Sequence, residues 1–398
     1  MEAEKTAAAL CAVGAEKVAA QEMRKLGLAV EGSGFGRVRF RADLAGLYRA
    51  LLATRVADRI LLETASYPAF NFDDLFEGAR SAPWEAYIPR NMALAVTKVR
   101  SSRSLLKAET SIQAVVHKAA AERLCGAYHI KRLEEGGKTA NLRVYVEKDR
   151  VSLLLDLSGE PLFKRGYRQE GGIAPLRETT AAALLQLALW RRKFPLYDPF
   201  CGSGTILAEA ALYAWDAAPG LGRGFALADL LIARPDLEES IRAELRGRIN
   251  FEHTLRIFGS DRDPRAVSIA SSNLMRARDL ALGRTPGKGI RTTGGEGGMP
   301  ELRCLPMEAA CSPFRDGGAE DLGFIITNPP YGRRMGAEED AEAGYAAMSA
   351  LGRGFPGWKL ALITDHPGFE SFFGRRANSC REITNGAVPS YFFQYERL

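Results

Sequence analysis

Asn328, Pro329, Pro330 and Tyr331 follow the apolar run Ile325, Ile326 and Thr327, so a buried strand must stop at Asn328 and hand its next residues to a stiff turn. The groups presented there share a use. Asn328 carries a side-chain carbonyl oxygen, Pro329 a main-chain carbonyl, and Tyr331 a flat ring. Two such acceptors can take both hydrogens of an exocyclic NH2 group while the ring clamps the planar base that bears it. An amino nitrogen conjugated to a ring is a poor nucleophile. Drawing its hydrogens towards two oxygens favours a pyramidal nitrogen able to attack an electrophilic methyl. The plain alternative is a turn that only ends a strand.

A second stretch, Asp198 through Phe200, Cys201, Gly202, Ser203, Gly204 and Thr205 to Leu207, reads as a short loop entering a helix that runs to about residue 215. The two glycines allow the backbone close to a ligand, and the helix N-terminus adds positive potential, which suits a nucleotide-like molecule. No Lys follows, so this is not a P-loop, and Leu207 stands where a dinucleotide fingerprint has its third glycine. About sixty residues on, a strand at 255–258 leads into Asp261, Arg262, Asp263 and another helix. A carboxylate ending the second strand is where a ribose diol is gripped in such folds. Asp261 is the candidate, with Asp263 either assisting or capping the helix. Glu308, after a short strand at 301–305, either accepts from an adenine amino group or is a surface glutamate.

The elements that must position these residues alternate. Strands at 322–327 and 358–364 and a closing hairpin, with its turn at Asn385 and Gly386, follow the earlier strand and helix units. The pattern predicts a doubly wound sheet with a reversed last strand. A glycine pair, Gly171 and Gly172, with Pro175 precedes an alanine-rich helix at 179–190, and 286–300 is a glycine-rich excursion. Ahead of these, residues 6–64 read as helices at 15–25 and 44–54 among strands at 37–40 and 55–62. Residues 65–160 read as strands at 92–99, 141–147 and 150–156 with a helix at 111–124.

A chain of 398 residues predicts two or three domains, and 46% apolar content fills their cores. No apolar run reaches membrane-spanning length, and the N-terminus lacks the order of a signal peptide, so a cytoplasmic protein is expected. Six scattered cysteines without a CxxC pair and four histidines predict reduced thiols and no metal centre. The net charge of +6 is uneven: residues 90–150 hold thirteen Lys/Arg against six Asp/Glu. Lys98, Arg100, Arg103 and Lys107 lead a basic module suited to a phosphate backbone, or form an ordinary solvated face. Ser101, Ser102 and Ser104 either hold a phosphate or cap the next helix. Arg165 and Arg168 either meet RNA phosphate or form ion pairs.

The Asp198–Thr205 loop, the strand end at Gly259–Pro264 and the Asn328–Gly332 turn, in that order, resemble the class I methyltransferases that modify exocyclic amines with S-adenosylmethionine. With the upstream segments at 163–168 and 174–178 and the whole N-terminal part, the chain is similar to bacterial THUMP-domain RNA methyltransferases, in the branch that acts on guanine N2 of 23S rRNA. The resemblance implies a ferredoxin-like domain at 1–65, a THUMP RNA-binding domain at 66–160 and a Rossmann-like class I methyltransferase domain at 161–398. It also implies that Phe200, Gly202, Gly204 and Thr205 cradle the amino-acid end of the cofactor, with Asp198 and Cys201 in the same loop. Asp261, with Arg262 and Asp263, would hold the ribose and Glu308 would approach the adenine. Asn328, Pro329, Pro330 and Tyr331 would hold the target base. Arg333 stands where this family usually has an acidic residue. A tRNA guanine-N2 enzyme, an adenine-N6 nucleic-acid methyltransferase and a non-catalytic RNA-binding assembly factor remain alternatives at this point, and the oligomeric state is open.

Overall fold

The computed structural model describes residues 4–134, 136–168, 176–284, 298–314, 322–330, 338–386 and 388–398, with the side chains of 338–341 left aside. Tyr331, Arg333, the Gly171–Pro175 segment and most of the glycine-rich 286–300 stretch lie outside the described residues.

Fourteen strands form two seven-stranded sheets among the described residues. The first contains β1 (Lys5–Leu10), β2 (Ala29–Gly34), β3 (Arg37–Ala42), β4 (Arg59–Pro68), β5 (Ala93–Ser102), β6 (Thr139–Glu147) and β7 (Arg150–Asp156), in the order β2-β3-β1-β4-β7-β6-β5. Residues 5–68, with helices Glu16–Lys25 and Leu44–Ala53, run strand-helix-strand-strand-helix-strand, which is the ferredoxin-like topology expected. The alternation of β3 buries Val38, Phe40 and Ala42 on one face and sends Arg39 and Arg41 outwards. β4 pairs with β1 through Arg59–Leu62 and with β7 through Leu61–Pro68, so the sheet is continuous across residue 65, where the sequence suggested a boundary. β4 also begins later than the expected residue 55, because Arg55 and Asp58 are occupied in joining the two halves of the molecule. Arg55 is buried, and its guanidinium donates to the carbonyls of Leu212 and Ala217.

The second sheet contains β8 (Leu196–Asp198), β9 (Ile257–Asp261), β10 (Glu301–Cys304), β11 (Phe324–Thr327), β12 (Lys359–Thr364), β13 (Ser379–Asn385) and β14 (Val388–Tyr395). Its order is β10-β9-β8-β11-β12-β14-β13; the first five strands are parallel and β14 is antiparallel to both neighbours. This is the doubly wound sheet with a reversed last strand that the pattern predicts. The chain starts in the middle, runs out to β10 and returns to β11, which leaves a crevice at the carboxyl ends of β8 and β11 where the winding reverses. Helices Glu178–Leu187, Thr205–Ala214 and Pro264–Ala281 belong to one face, and an aromatic cluster with Tyr197, Phe355, Trp358, Phe369 and Phe393 fills the other.

Two local readings shift. Asn385 stays in β13 opposite Val388, because its side-chain oxygen accepts from the Arg177 N–H at 3.3 Å, so the turn falls one residue later with Gly386 at φ 68°. Helix Pro235–Gly247, absent from the sequence reading, starts on a proline in its first turn with Asp236 and Glu238 beside it. Among the described residues no helix is long and apolar enough to cross a membrane.

The assignment of Arg165 and Arg168 to RNA is corrected by the partners they already hold, which is the ion-pair use of the two expected. Arg165 is 3% exposed, and its guanidinium faces Glu209 at 3.4 Å and donates to the carbonyls of Leu162 (2.8 Å) and Arg55 (2.5 Å). Arg168 is spent on the Leu176 carbonyl and the buried Glu178 carboxylate, each at 3.0 Å. Arg165 fastens the amino-terminal half to the second sheet, and Arg168 holds the start of helix Glu178–Leu187. Replacing Arg165 by Met strands Glu209, one of whose oxygens already lacks a partner, and should cost about 3–5 kcal/mol in denaturant unfolding. The salt dependence of RNA binding by the folded fraction should not change; a reduced salt slope with unaltered stability would restore the phosphate role.

Candidate active site

β8, β9 and β11 bring three of the sequence-predicted groups to one edge. After β8 the chain turns through Phe200–Gly204 into helix Thr205–Ala214. The Cys201 N–H donates to the Ser260 carbonyl at 2.9 Å, and the Gly204 N–H to the Cys201 carbonyl at 2.7 Å. Gly202 and Gly204 take φ of 51° and 77°, the left-handed region. A Cβ on Gly204 would lie 2.9 Å from the Cβ of Ala270, whereas one on Gly202 would meet nothing nearer than the Phe200 carbonyl at 4.0 Å. The loop is thus pressed against helix Pro264–Ala281 on one side and open on the other. Asn273, fully buried on that helix, donates its amide to the Ser203 carbonyl at 2.9 Å.

Asp261 ends β9 directly beside this loop. One of its carboxylate oxygens accepts from the Gly202 N–H at 2.9 Å and the other from the Asp263 N–H at 3.0 Å. Asp263 accepts from the Arg265 N–H at 2.8 Å, so of its two expected uses it performs the cap. Arg262 is exposed, and its carbonyl faces the Cys304 thiol. Glu308 is exposed in the short turn Met307–Ala309 after β10.

Asp198 does something other than face a ligand. Its carboxyl is 2% exposed and accepts from the Thr327 hydroxyl at 2.6 Å and from the Phe200 N–H at 3.1 Å. It therefore ties the ends of β8 and β11 together. Burial pushes its pKa up to about 7, against the two hydrogen bonds and with the repulsion of Asp261 adding to burial. Cys201 is likewise buried, and burial raises its thiol pKa far above the ordinary value, so it is a packing group beneath the loop. Thr205 is buried at the first helical position, and Phe200 packs partly exposed against the aromatic cluster.

Past Thr327, Asn328 is half-buried and Pro329 buried. The Asn328 Oδ1 is buried without a hydrogen-bond partner among the described residues. A lone buried amide oxygen costs about 1–3 kcal/mol unless something donates to it. The site as built therefore offers an open glycine turn, a carboxylate oriented by two backbone N–H groups and an unused acceptor at the next strand end. That donor and acceptor set fits an adenosyl amino acid along the loop and an NH2 group at Asn328. Sequence reasoning missed Thr327, Asn273 and Ala270, which support this arrangement. Asn273 alone left a signal, an amide between the apolar positions Ala270 and Leu274.

The expected basic module stands apart from this edge, on the outermost strand of the first sheet. Lys98 and Arg100 on β5 and Arg103 and Lys107 in the loop after it are all exposed. The hydroxyls of Ser101 and Ser104 are engaged within the loop itself. Ser101 donates to the Leu106 carbonyl, and Ser104 donates to the Ser102 carbonyl and accepts from the Asp149 N–H. The helix instead begins at Glu109 with no side-chain cap.

Family comparison agrees with this geometry. Residues 165–281 and 309–391 match the model described as RMKL-like, methyltransferase domain, and residues 6–61 match the RlmL ferredoxin-like domain. The Bacillus subtilis protein YpsC, described as a candidate RNA methyltransferase, is 34% identical over 393 residues, covering 98% of this chain and 95% of its own. The ribosomal RNA large subunit methyltransferase K/L of Chromohalobacter salexigens is 33% identical over 95% of this chain, which spans about half (50%) of that longer protein. The solved structure of SMU.472, described as a candidate methyltransferase complexed with SAH, superposes with a TM-score of 0.83 at 30% identity, covering 100% of this chain and 99% of that one.

The Asp198 tie has a pH signature. An unfolded aspartate titrates near roughly 3.9, whereas Asp198 in the folded chain keeps its proton up to about 7. Between these values the folded state binds the extra proton, so this residue lowers stability as pH rises through that window. Asp198→Asn keeps an oxygen for Thr327 but cannot ionise. Its stability relative to the parent should therefore climb from about pH 4 to about pH 7 and level off above; a pH-independent difference would show that Asp198 is not held neutral.

Proposed function

The chain belongs to the RMKL-like methyltransferase family, and from that premise we propose that it transfers a methyl group from S-adenosylmethionine to the exocyclic amino group of an RNA base, guanine N2 of 23S rRNA, in the cytoplasm. The observation that carries the reading is the partnerless buried oxygen of Asn328 at the end of β11, next to the glycine turn after β8. The SAH complex of SMU.472 supports the choice of cofactor, and the names of the K/L relatives and of YpsC support RNA as substrate.

S-adenosylmethionine, when bound, supplies a methyl already activated by a sulfonium. The chain's task is placement. Gly202 and Gly204, with Phe200 and Thr205, would hold the amino-acid end, Asp261 the ribose and Glu308 the adenine. Asn328 Oδ1 and the Pro329 carbonyl would accept the two amino hydrogens, fixing the nitrogen for in-line attack, with Tyr331 as the stacking ring. The N–C bond would form as the S–C bond breaks, moving the positive charge to the nitrogen, whose extra proton would then pass to water, so no strong general base is required while it attacks. The base must be unpaired or flipped, since its amino edge is hidden in a duplex.

The footprint for the rest of the RNA is the basic edge of the first sheet, which we read as the THUMP unit. Beside Arg103 and Lys107, Leu105 is 65% exposed and Phe70 57% exposed. Their loops meet at Asp149, whose carboxylate accepts from the Leu105 N–H and whose carbonyl accepts from the Ala69 N–H. Cations with apolar faces between them suit phosphates and unstacked bases.

Incubation with methyl-labelled S-adenosylmethionine and separate rRNA, tRNA and DNA pools, followed by nucleoside analysis, should place label in N2-methylguanine of 23S rRNA; label in N6-methyladenine of DNA would discard the reading. Asn328→Ala should lower turnover about 100-fold or more while leaving cofactor affinity nearly unchanged. A fully active variant would remove its acceptor role. Neutralising Lys98, Arg100, Arg103 and Lys107 should take about 0.7 per lost phosphate contact from the salt slope of single-strand binding; an unaltered slope would move the footprint elsewhere.

A further inference from the structure

β11 and β12 are parallel neighbours with Thr327 opposite Leu362, and β12 continues to Thr364 before leaving the sheet. Its exit therefore lies beside Asn328–Pro330, on the edge that holds the site. Thr364 is fully buried; it shares a hydrogen bond with the Tyr345 hydroxyl at 2.9 Å and accepts the His366 N–H at 3.1 Å. The imidazole of His366 is fixed in turn. Its Nδ1 accepts from the Gly368 N–H at 3.1 Å, and its ring packs edge-on against Tyr345 and Phe372. With Nδ1 used as an acceptor, the neutral ring carries its proton on Nε2.

Nε2 faces Glu342 Oε1 at 3.8 Å, on helix Glu338–Ala347 one turn before Tyr345. That distance is too long for a hydrogen bond, so neither group is spent on the other. The two side chains remain 27% and 35% exposed. An ordinary surface ion pair has no need of a ring held by a backbone N–H and two aromatic neighbours. Here a fixed donor and a carboxylate acceptor stand side by side, partly exposed, next to the strand end that offers the Asn328 oxygen.

We propose that Glu342 and His366 read the Watson–Crick edge of the target base and set guanine over adenine. This rests on the methyl-transfer reading above. Guanine presents in a row its amino hydrogens, the N1–H donor and the O6 acceptor. Asn328 and Pro329 take the first, the Glu342 carboxylate accepts from N1–H, and the His366 Nε2–H donates to O6. Adenine seated by its own amino group turns the N1 lone pair towards the carboxylate and a C–H towards the imidazole. One contact becomes repulsive and the other is lost. The Asn-Pro-Pro-Tyr turn serves either base, so the choice falls to the neighbouring strand exit.

The test compares methyl transfer by the full chain to a 23S rRNA transcript and to uridine-rich oligonucleotides carrying one guanosine, 2-aminopurine riboside or adenosine. 2-Aminopurine keeps the amino group of guanine but lacks N1–H and O6. The parent enzyme should favour guanosine over both. Glu342→Ala should narrow the guanosine to 2-aminopurine ratio in kcat/KM by roughly 10–100-fold, with SAH affinity and thermal unfolding unchanged. Glu342→Gln, which keeps an acceptor oxygen, should restore part of it. His366→Ala should narrow the same ratio. Parent activity on 23S rRNA with both alanine variants keeping the parent's base ratios overturns this assignment alone. No transfer to 23S rRNA by the parent enzyme overturns the methyl-transfer reading, and the assignment with it.

Discussion

The site depends on a buried carboxyl. Asp198 accepts from Thr327 across the junction of β8 and β11, the two strands between which the winding of the sheet reverses. The glycine turn leaves one strand and the Asn328 turn leaves the other, so this one buried bond sets the distance between the proposed methyl-donor and methyl-acceptor positions. A charged Asp198 would pay for desolvation at the point where alignment matters most. With burial pushing its pKa up to about 7, it holds the two ends with less of that penalty than an ordinary aspartate would carry. Asp261, by comparison, is half-buried with both oxygens given backbone donors and lies beside the open side of the glycine turn.

A second constraint joins the amino-terminal half of the chain to the half that carries the Asn328 turn. Glu22 accepts from the Thr54 hydroxyl and the Arg55 N–H, Arg55 reaches into the second half, and Arg165 returns from Glu209 to the Arg55 carbonyl. Further out, Val13 and Thr384 exchange main-chain and side-chain hydrogen bonds, so the loop after β1 covers the outer strand β13. That contact protects a sheet edge. It also fixes where the basic strand β5 stands relative to Asn328. An RNA engaged at both places must therefore span a set interval, with the target nucleotide delivered unpaired.

Much of this was legible in the sequence, for local reasons. Two prolines after an apolar run permit few backbone paths, and Gly202 and Gly204 announce positive φ, so the Asn328 turn and the glycine loop could be placed from residue types alone. Asp261 followed from its position at a strand end. What stayed hidden depends on strand order. Thr327 looks like one more β-branched strand residue until β8 lies beside it. The alternation in 59–68 is the same whichever neighbours pair with it, so the continuity of the first sheet across residue 65 could not be read. Arg165 misled because arginine is ordinarily exposed, and the Glu209 that buries it is 44 residues away. The turn after β13 slipped by one because the Arg177 N–H claims Asn385.

The most direct measurement is a crystal structure of the protein with SAH and a guanosine-bearing oligonucleotide. The account requires the guanine amino nitrogen within hydrogen-bond distance of both Asn328 Oδ1 and the Pro329 carbonyl, on the side facing the SAH sulfur above Gly202. A base bound with its amino group turned to solvent, or SAH seated away from the turn between Asp198 and Thr205, would contradict it.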